Sequence, residues 1–377
     1  MSNESIPLVD LKTQYQGIKE EIDSAIQRVL DSQQFILGPE VSIFEKEISK
    51  YCNSKHAIGV SSGTDALLIP LFDREIEPGD AALTTTITSI ATAEVIKLIG
   101  AMPIFVDIDP ETFNMNLDLI PDAVNEAKKK GLNPKAIIPV DLFGLPAQYD
   151  VIEKFAREND LFLLEDAAQG FGGEIGGRKA GSFGDVAATS FFPAKPLGCY
   201  GDGGAIFTND GDLAEVMKSI RIHGGGSDKY DNVRVGINGR LDTIQAAVLL
   251  EKLAIFPDEV AERNKVAQYY SDNMPVGFVV PHIPENYLSS WAQYSILAES
   301  KQKRDSAIEL LESHGIPTMI YYRIPLHLQK VFSDLGFRDG DFPVSENAAN
   351  YIFSIPMHPY LRREQRDRII DVLGQQS

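Results

Sequence analysis

The chain contains little cysteine and little histidine. Cys52 and Cys199 are its only cysteines among 377 residues, which is too few for a disulfide framework or a cysteine-based zinc cluster. The six histidines are scattered and show no H-E-x-x-H spacing, the pattern that places two imidazoles on one face of a helix. We therefore expect no metal site.

Basic residues are also few relative to acidic ones. The chain has 35 Lys and Arg against 54 Asp and Glu, which gives a formal net charge of −19. Nucleic-acid binding needs clustered cations that neutralise phosphates, so this balance argues against a nucleic-acid partner. It does not argue against small anionic ligands, because helix termini and single cations hold these within an acidic protein.

Long apolar runs and several common motifs are missing. No uncharged apolar run approaches the roughly 18 residues that a membrane helix needs. The start of the chain has neither a basic segment nor an apolar one, so we expect a cytoplasmic protein with no membrane partner. The G-x-G-x-x-G and G-x-x-x-x-G-K-[ST] motifs are absent, so NAD(P) and P-loop functions lose their main support.

Short apolar runs alternate with helical patterns through the first half of the chain. The runs lie at residues 57–60, 102–106, 136–140, 161–164, 186–192 and 205–208. Several are hydrophobic on both faces, which is typical of strands buried in a mostly parallel sheet. Segments between them, such as 148–159, suit crossover helices. The pattern predicts an α/β fold whose ligands bind at the carboxyl ends of the strands.

The pattern changes after about residue 255. The alternation is interrupted by four prolines, Pro257, Pro275, Pro281 and Pro284. Helical patterns such as 304–314 then alternate with short strands. We predict a large domain at 1–255 and a smaller C-terminal domain at 256–377. The first 50 residues form an arm with two helical patterns, at 18–30 and 39–51.

An acidic residue and an amide follow one of the apolar runs. Asp166 stands just beyond the run 161–164, and Gln169 comes three residues later. A cofactor that keeps a heterocyclic nitrogen protonated needs a buried anion opposite that nitrogen, and Gln169 can reach a neighbouring oxygen or lie against the ring. The alternative is structural, because Asp after a strand commonly caps the next helix.

A serine and a lysine leave the run 186–192. In this segment a Ser190 hydroxyl can bind a phosphate, and a Lys195 amine can form an imine with an aldehyde. Lysine is unreactive while protonated at its reference pKa of about 10.4, and burial lowers that pKa. The alternative is a solvated surface lysine, but the flanking Phe-Phe-Pro and the glycine turn at 201–204 favour a buried loop. The cofactor that this chemistry indicates is pyridoxal 5′-phosphate (PLP), which serves as an electron sink.

Small residues at 61–64 follow the run 57–60 and open an apolar helical pattern at 65–72. The N-terminus of a helix presents free N–H groups and the positive end of the helix dipole to a phosphate. A Ser-Gly-Thr sequence before a helix is also commonly only a cap. Both interpretations stay open from the residues alone.

These segments together resemble the nucleotide-sugar aminotransferases of the DegT/StrS type, which are PLP enzymes of fold type I. The resemblance is densest at residues 189–206, TSFFPAKPLGCYGDGGAI. It extends over nearly the whole chain, through PLVDLK at 7–12, LGPE at 37–40, SSGTDA at 61–66, EDAAQ at 165–169, RVGINGRLD at 234–242 and SIPMHPY at 354–360. The family implies a mostly parallel seven-stranded sheet in the large domain and a smaller α+β C-terminal domain.

The resemblance also implies roles for individual residues. Lys195 would hold PLP covalently and move the proton during transamination, Asp166 would pair with the pyridine nitrogen, and Gln169 would contact the ring near its hydroxyl. The phosphate would be held by Gly63, Thr64 and Ser190. Asn238 resembles the family residue that reaches the phosphate from the neighbouring subunit, which implies a homodimer with shared active sites.

Within the family, the segments at 234–242 and 354–360 look most like enzymes acting on UDP-2-acetamido-2-deoxy-3-oxo-glucuronic acid, in the formation of lipopolysaccharide O-antigen sugars. Arg240 would then meet the substrate carboxylate, since a guanidinium matches it with two donors. The alternative for Arg240 is an ion pair at a subunit interface. Tyr321 and Tyr322 match a family pair that faces the sugar.

The chain departs from the family at one wall of the expected pocket. The family reads Pro-x-Phe-Thr-aromatic-x-Ala-Thr-Ala, with the second aromatic stacked on the cofactor ring. The corresponding residues 85–93 read TTITSIATA, so Ser89 stands where the aromatic is expected. Losing such a stack costs roughly 1 kcal/mol of cofactor binding.

The sequence therefore predicts a transaminase that moves an amino group from glutamate, leaving 2-oxoglutarate, to a keto-sugar nucleotide. Alternatives are a different 3-keto or 4-keto sugar nucleotide, a sugar dehydration on the same scaffold, and a non-catalytic binding or regulatory protein. The related dehydratases have His where this chain has Lys195, which argues against dehydration. The unusual Ser89 region is the observation that favours a non-catalytic protein.

Overall fold

The computed structural model describes residues 5–228 and 230–375. Across this part of the chain, no helix combines the length and the apolar character needed to cross a bilayer. The helices, in chain order, are α1 (Leu11–Gly17), α2 (Lys19–Ser32), α3 (Pro39–Cys52), α4 (Gly63–Asp73), α5 (Ile90–Leu98), α6 (Ile120–Lys129), α7 (Tyr149–Glu158), α8 (Gly211–Ile220), α9 (Thr243–Asn273), α10 (Lys301–Ser313), α11 (Pro343–Tyr351) and α12 (Arg363–Gly374).

The strands form one large sheet and two small ones. They are β1 (His56–Val60), β2 (Asp80–Thr85), β3 (Met102–Val106), β4 (Asn133–Ile138), β5 (Phe162–Asp166), β6 (Glu174–Ile175), β7 (Arg178–Lys179), β8 (Val186–Ser190), β9 (Gly204–Thr208), β10 (Phe278–Val279), β11 (Tyr287–Leu288), β12 (Tyr294–Ala298) and β13 (Ile352–Ile355). The large sheet has seven strands in the order β1-β9-β8-β5-β4-β2-β3, and only β9 runs antiparallel to its neighbours. The predicted mostly parallel seven-stranded α/β sheet is confirmed.

Strand β2 is the strand of the large sheet that the apolar runs do not predict. Its residues Asp80–Thr85 include an aspartate, two alanines and two threonines, so they lack the dense aliphatic character of the other strands. All six residues are buried, because β2 lies between β3 and β4 in the sheet. Position in the sheet, rather than hydrophobicity, makes this segment a strand.

The direction of the strands brings several loops to one edge of the sheet. Strands β1, β8, β5, β4 and β2 all run the same way, since β9 is antiparallel to both β1 and β8. Their carboxyl ends therefore meet, and the residues that follow them share one edge. That edge is where an open α/β sheet binds its ligands.

The long helix α9 crosses the predicted domain boundary. The prediction that Pro257 interrupts the helical pattern is wrong, because Thr243–Asn273 is one helix with Pro257 inside it. Phe256 and Val260 pack with the core below the large sheet, whereas Val266 and Tyr270 pack with the core of the C-terminal sheet β10-β12-β13. The change of packing partners falls inside the helix, so the limits 1–255 and 256–377 remain a proposal.

Two carboxyl groups are buried together beneath the carboxyl edge. Asp141 follows β4 and Glu165 is the penultimate residue of β5, both with 0% exposure, and the charge of Asp141 acts on Glu165. Asp141 Oδ1 also accepts from the Tyr149 hydroxyl (2.7 Å) and from the Ala147 N–H (3.0 Å). Burial raises the pKa of Asp141 to about 7 and raises the pKa of Glu165 well above its ordinary value. The buried pair therefore holds a proton near neutral pH.

This pair predicts a pH-dependent stability. The folded chain keeps a proton that the unfolded chain has already released, so the free energy of unfolding falls as pH rises from about 4 to about 7. Asp141→Asn removes the need for this proton, since an amide is neutral and its oxygen can still accept from Tyr149. We expect it to gain roughly 1–3 kcal/mol relative to the unmodified chain between pH 5 and pH 8. Urea unfolding at both pH values measures this; a pH-independent difference would contradict the raised pKa of Asp141.

Candidate active site

A cavity of about 350 Å³ opens at the carboxyl edge of the large sheet, between that sheet and the C-terminal domain. Eight of the ten predicted site residues line it, namely Gly63, Thr64, Asp166, Gln169, Ser190, Lys195, Tyr321 and Tyr322. Their positions in the chain span from the first strand of the sheet to the loop after α10. The fold therefore brings together residues that the sequence places far apart.

Lys195 lies on the loop between β8 and β9 and is partly buried in the cavity wall. Its backbone N–H donates to the Phe192 carbonyl (2.8 Å), which closes a tight turn around the lysine. Burial lowers the pKa of the Lys195 ammonium, and the nearby Asp166 carboxylate opposes that shift. A lysine with a lowered pKa is more often neutral, and a neutral amine is the nucleophile that reacts with a carbonyl. Lys195 is thus not the solvated surface lysine of the alternative interpretation.

Asp166 ends β5 and is 3% exposed. Its Oδ2 accepts from the Thr92 hydroxyl (2.7 Å) and its Oδ1 accepts from the Ala168 N–H (3.2 Å). Burial raises the pKa of Asp166, while Thr92, Ala168 and the charge of Lys195 favour the ionised form. Residues 168–172 form turns and no helix follows, so Asp166 caps no helix and that alternative is wrong. The carboxylate is available to a cationic group in the cavity.

Gly63 and Ser190 form a close-fitting concave surface at the start of α4. Ser62 caps this helix, its Oγ accepting from the Asp65 N–H (3.1 Å), and Gly63 and Thr64 in the first turn line the cavity. A Cβ at Gly63 would lie 2.6 Å from the Ser190 Cβ, closer than real atoms approach. A side chain here would displace Ser190, so glycine keeps this space open.

Gln169 links the large sheet to the C-terminal domain. Its Oε1 accepts from the Phe143 N–H (2.8 Å), and its Nε2 donates to the Tyr322 hydroxyl (3.3 Å). Its backbone carbonyl accepts from the Ser290 hydroxyl (2.7 Å). These contacts fix the Gln169 amide beside Asp166. Burial raises the pKa values of Tyr321 and Tyr322, so both phenols stay neutral hydrogen-bonding groups.

Ser89 precedes α5 and lines the cavity beside Thr88, so the wall that the family fills with an aromatic ring is built here from a small side chain. The Thr88 and Thr92 hydroxyls are 3.3 Å apart, which continues the hydrogen bonding of Asp166 toward this wall. The role of Thr92 was not predicted from the sequence. Its only signal was its place in the segment that matches the family at 85–93.

Asn238 and Arg240 do not line the cavity of their own chain. Asn238 is exposed and pairs with Ile222, while Arg240 pairs with Val60 and its Nε has no hydrogen-bond partner among the described residues. The carbonyl of Gly239, between them, accepts from the Ser61 N–H (3.0 Å). This segment therefore runs along the outside of the surface formed by Gly63 and Ser190.

The cavity has further walls that sequence motifs did not assign. Leu8 and Val9 come from the segment before α1, and Met357 from the loop after β13. The Met357 N–H donates to the Leu8 carbonyl (3.2 Å), so the two ends of the chain close the cavity together. These contacts join residues about 350 positions apart, which local patterns do not reveal.

Comparison with known proteins gives two similar curated relatives. One, from Pseudomonas aeruginosa, is named UDP-2-acetamido-2-deoxy-3-oxo-D-glucuronate aminotransferase; it is 44% identical over 357 residues, covering 94% of this chain and 96% of that protein. The other, from Geobacillus stearothermophilus, is named pleiotropic regulatory protein; it is 40% identical over 375 residues, covering 98% of each chain.

Two solved structures show the same architecture. A DegT/DnrJ/EryC1/StrS aminotransferase from Brucella abortus is 48% identical with a TM-score of 0.95, covering 98% of this chain and 99% of that chain. The protein NtdA from Bacillus subtilis, with bound cofactor PMP, is 28% identical with a TM-score of 0.88, covering 99% of this chain and 85% of that chain. The fold-type I architecture is therefore confirmed.

The family model of the DegT/DnrJ/EryC1/StrS aminotransferases matches residues 16–374, almost the whole chain. The match includes each segment from which Gly63, Asp166, Ser190 and Lys195 reach the cavity. The chain belongs to the DegT/DnrJ/EryC1/StrS aminotransferase family.

Proposed function

We propose that this protein is a PLP-dependent aminotransferase that moves an amino group from glutamate to the 3-keto group of UDP-2-acetamido-2-deoxy-3-oxo-glucuronic acid. The observation on which the proposal depends is the convergence of Lys195 and Asp166 in one cavity with the surface formed by Gly63 and Ser190. The substrate follows from the relative in Pseudomonas aeruginosa, whose name states it. The product would be an amino sugar for cell-surface polysaccharide such as O-antigen, made in the cytoplasm.

The residues of the cavity fit PLP. Its phosphate would sit on the N–H groups that begin α4, with Thr64 and the Ser190 hydroxyl, in the space that a Cβ at Gly63 would fill. Asp166 offers a buried carboxylate to a cationic ring nitrogen, which would offset the cost of its own burial. Gln169 would stand beside the ring, held by its bonds to Phe143 and Tyr322.

When bound, PLP supplies an electron sink that makes the carbon bearing the amine acidic. The protein contributes the proton carrier: the Lys195 amine, with its lowered pKa, takes a proton from one carbon and returns it to another. Asp166 would keep the ring nitrogen protonated through its negative charge, and Thr92 and Ala168 hold the carboxylate oxygens in place. Tyr321 and Tyr322 would face the sugar and exclude water from that side.

The homodimer is part of the proposal. Five of the exposed large apolar side chains have fractional exposures of 39–83%, namely Phe35, Ile36, Leu37, Phe192 and Val235, and Phe192 lines the cavity. Such exposure favours a protein interface. Asn238 and Arg240 lie in the segment that includes Val235, outside their own cavity. A second copy would let Asn238 reach the partner's phosphate and Arg240 the partner's substrate carboxylate.

A panel of 3-keto and 4-keto sugar nucleotides tests the reaction. With glutamate and PLP, we expect a product whose mass corresponds to replacement of the 3-keto oxygen by an amine on the UDP-glucuronic acid derivative. Lys195→Ala should lose both this product and the yellow colour of the holoenzyme, because no other lysine among the described residues lines the cavity. A Lys195→Ala protein that keeps colour and turnover would contradict the assignment, and product only from 4-keto sugars would contradict the substrate.

The Ser89 wall gives a separate prediction. Ser89→Tyr adds an aromatic face beside the bound ring. The dissociation constant of PLP should therefore fall about fivefold, equivalent to roughly 1 kcal/mol of stacking. Equilibrium dialysis of PLP measures this. Leu98→Tyr, at the exposed far end of α5, is the matched control and should leave the dissociation constant unchanged. Unchanged or weaker PLP binding in Ser89→Tyr would show that position 89 does not face the ring.

Shared active sites predict complementation between two inactive variants. In a mixed dimer of Lys195→Ala and Asn238→Ala subunits, one site combines both substitutions, and the other has intact Lys195 from one protomer and intact Asn238 from its partner. Mixing the two after mild dissociation should therefore restore product formation at one of the two sites. If Asn238 served its own protomer, each site would still hold one substitution and mixing would restore nothing.

A further inference from the structure

Helix α9 presents polar side chains at seven-residue intervals. Gln245, Lys252 and Glu259 are spaced two turns apart, so they lie along one face of the helix. The first two contact the loop that carries Lys195, and Glu259 accepts from the Gln14 amide of the N-terminal arm (2.9 Å). This face of α9 therefore touches two of the segments around the cavity.

Lys252 is buried in an unusual way for a lysine, with 1% of its surface exposed. Its Nζ donates to the Gly198 carbonyl (2.7 Å) and lies 4.3 Å from the centre of the Tyr200 ring. These contacts are with a neutral carbonyl and an aromatic ring. Burying an ammonium is costly, and an apolar side chain of similar length would fill the same space without that cost. Burial lowers the pKa of Lys252 to about 8 and the charge of Glu259 opposes that shift, so this donor is kept at a cost that core packing alone does not explain.

Gly198 closes the loop around Lys195. A Cβ at Gly198 would lie 2.5 Å from the Pro193 carbonyl oxygen, so the segment after the lysine folds back directly onto the segment before it. The next residue continues this contact, because the Cys199 N–H donates to the Phe191 carbonyl (2.8 Å). Fixing the Gly198 carbonyl therefore fixes both arms of the turn that displays Lys195.

Gln245 fastens the same loop at its other side. Its Oε1 accepts from the Tyr200 N–H (2.8 Å), and its Nε2 donates to the Tyr200 carbonyl (3.2 Å). Tyr200 is also the ring against which the Lys252 ammonium lies. Gln245 and Lys252 thus fasten consecutive peptide units of one loop to one rigid helix.

We propose that Lys252 is a positioning residue for the reaction. Its buried ammonium holds the Gly198 carbonyl and so fixes the backbone from which Lys195 reaches the cavity. The inference rests on the proposed function only through the role given to Lys195. It assigns Lys252 no contact with substrate or cofactor.

Lys252→Met tests the inference, because methionine has a similar length but no charge or donor. Without PLP, hydrogen exchange should accelerate at the backbone amides of Lys195 and Cys199 and stay unchanged in the large sheet. With PLP, kcat for the glutamate half-reaction should fall about 10- to 100-fold with little change in KM, as for a misplaced catalytic group.

Lys252→Arg keeps a cationic donor and should retain most of the rate. Lys265→Met, at an exposed lysine on the same helix, is the control and should match the unmodified chain.

The outcomes separate the inference from the function it builds on. Wild-type exchange and kcat in Lys252→Met would overturn the inference, as would exchange that accelerates evenly through the whole chain. If Lys252→Met does not fold, Lys252→Gln takes its place with the same expectation. The glutamine side chain is one atom shorter than that of lysine, so its amide does not reach the Gly198 carbonyl. If the unmodified enzyme fails to convert glutamate, the proposed function fails, and the exchange at Lys195 and Cys199 still decides whether Lys252 holds the loop.

Discussion

An ammonium, that of Lys195, and a carboxylate, that of Asp166, face one cavity. Burial disfavours both charges and so shifts the two pKa values in opposite directions. It lowers the pKa of Lys195 and raises the pKa of Asp166, while each charge favours the ionised form of the other. The carboxylate stays fixed because Thr92 and Ala168 donate to it. A cationic ring opposite Asp166 would satisfy that carboxylate and leave the Lys195 amine free to carry a proton. The proposed chemistry depends on this balance.

A sheet and one helix together hold the two charged groups in position. The sheet delivers Asp166 and Ser190 from the ends of β5 and β8, where backbone hydrogen bonds leave little freedom. Lys195 lies on a loop, which needs an external support. Helix α9 provides it through Gln245 and Lys252, and its C-terminal half packs in the core of the second domain. Rigid elements thus fix a site whose reactive group is on a loop.

Much of this arrangement could be predicted from the sequence. Buried parallel strands are visible as apolar runs, and the residues that follow those runs lie at one edge of the sheet. That reasoning placed Asp166 and Lys195 in one site. It missed β2, whose alanines and threonines are buried by position rather than by hydrophobicity. It also took Pro257 for a helix end, although packing on both sides keeps the helix continuous. Lys252 was invisible because its partner is a backbone carbonyl 54 residues away.

The identity of the reacting lysine is the central claim, and reduction of the yellow holoenzyme with borohydride tests it most directly. Reduction makes the bond between PLP and its lysine permanent, so the tryptic peptide that contains this lysine gains the mass of the phosphopyridoxyl group. We predict the added mass on Lys195 alone. Its appearance on another lysine, or its absence from every peptide of a yellow enzyme, would contradict the account.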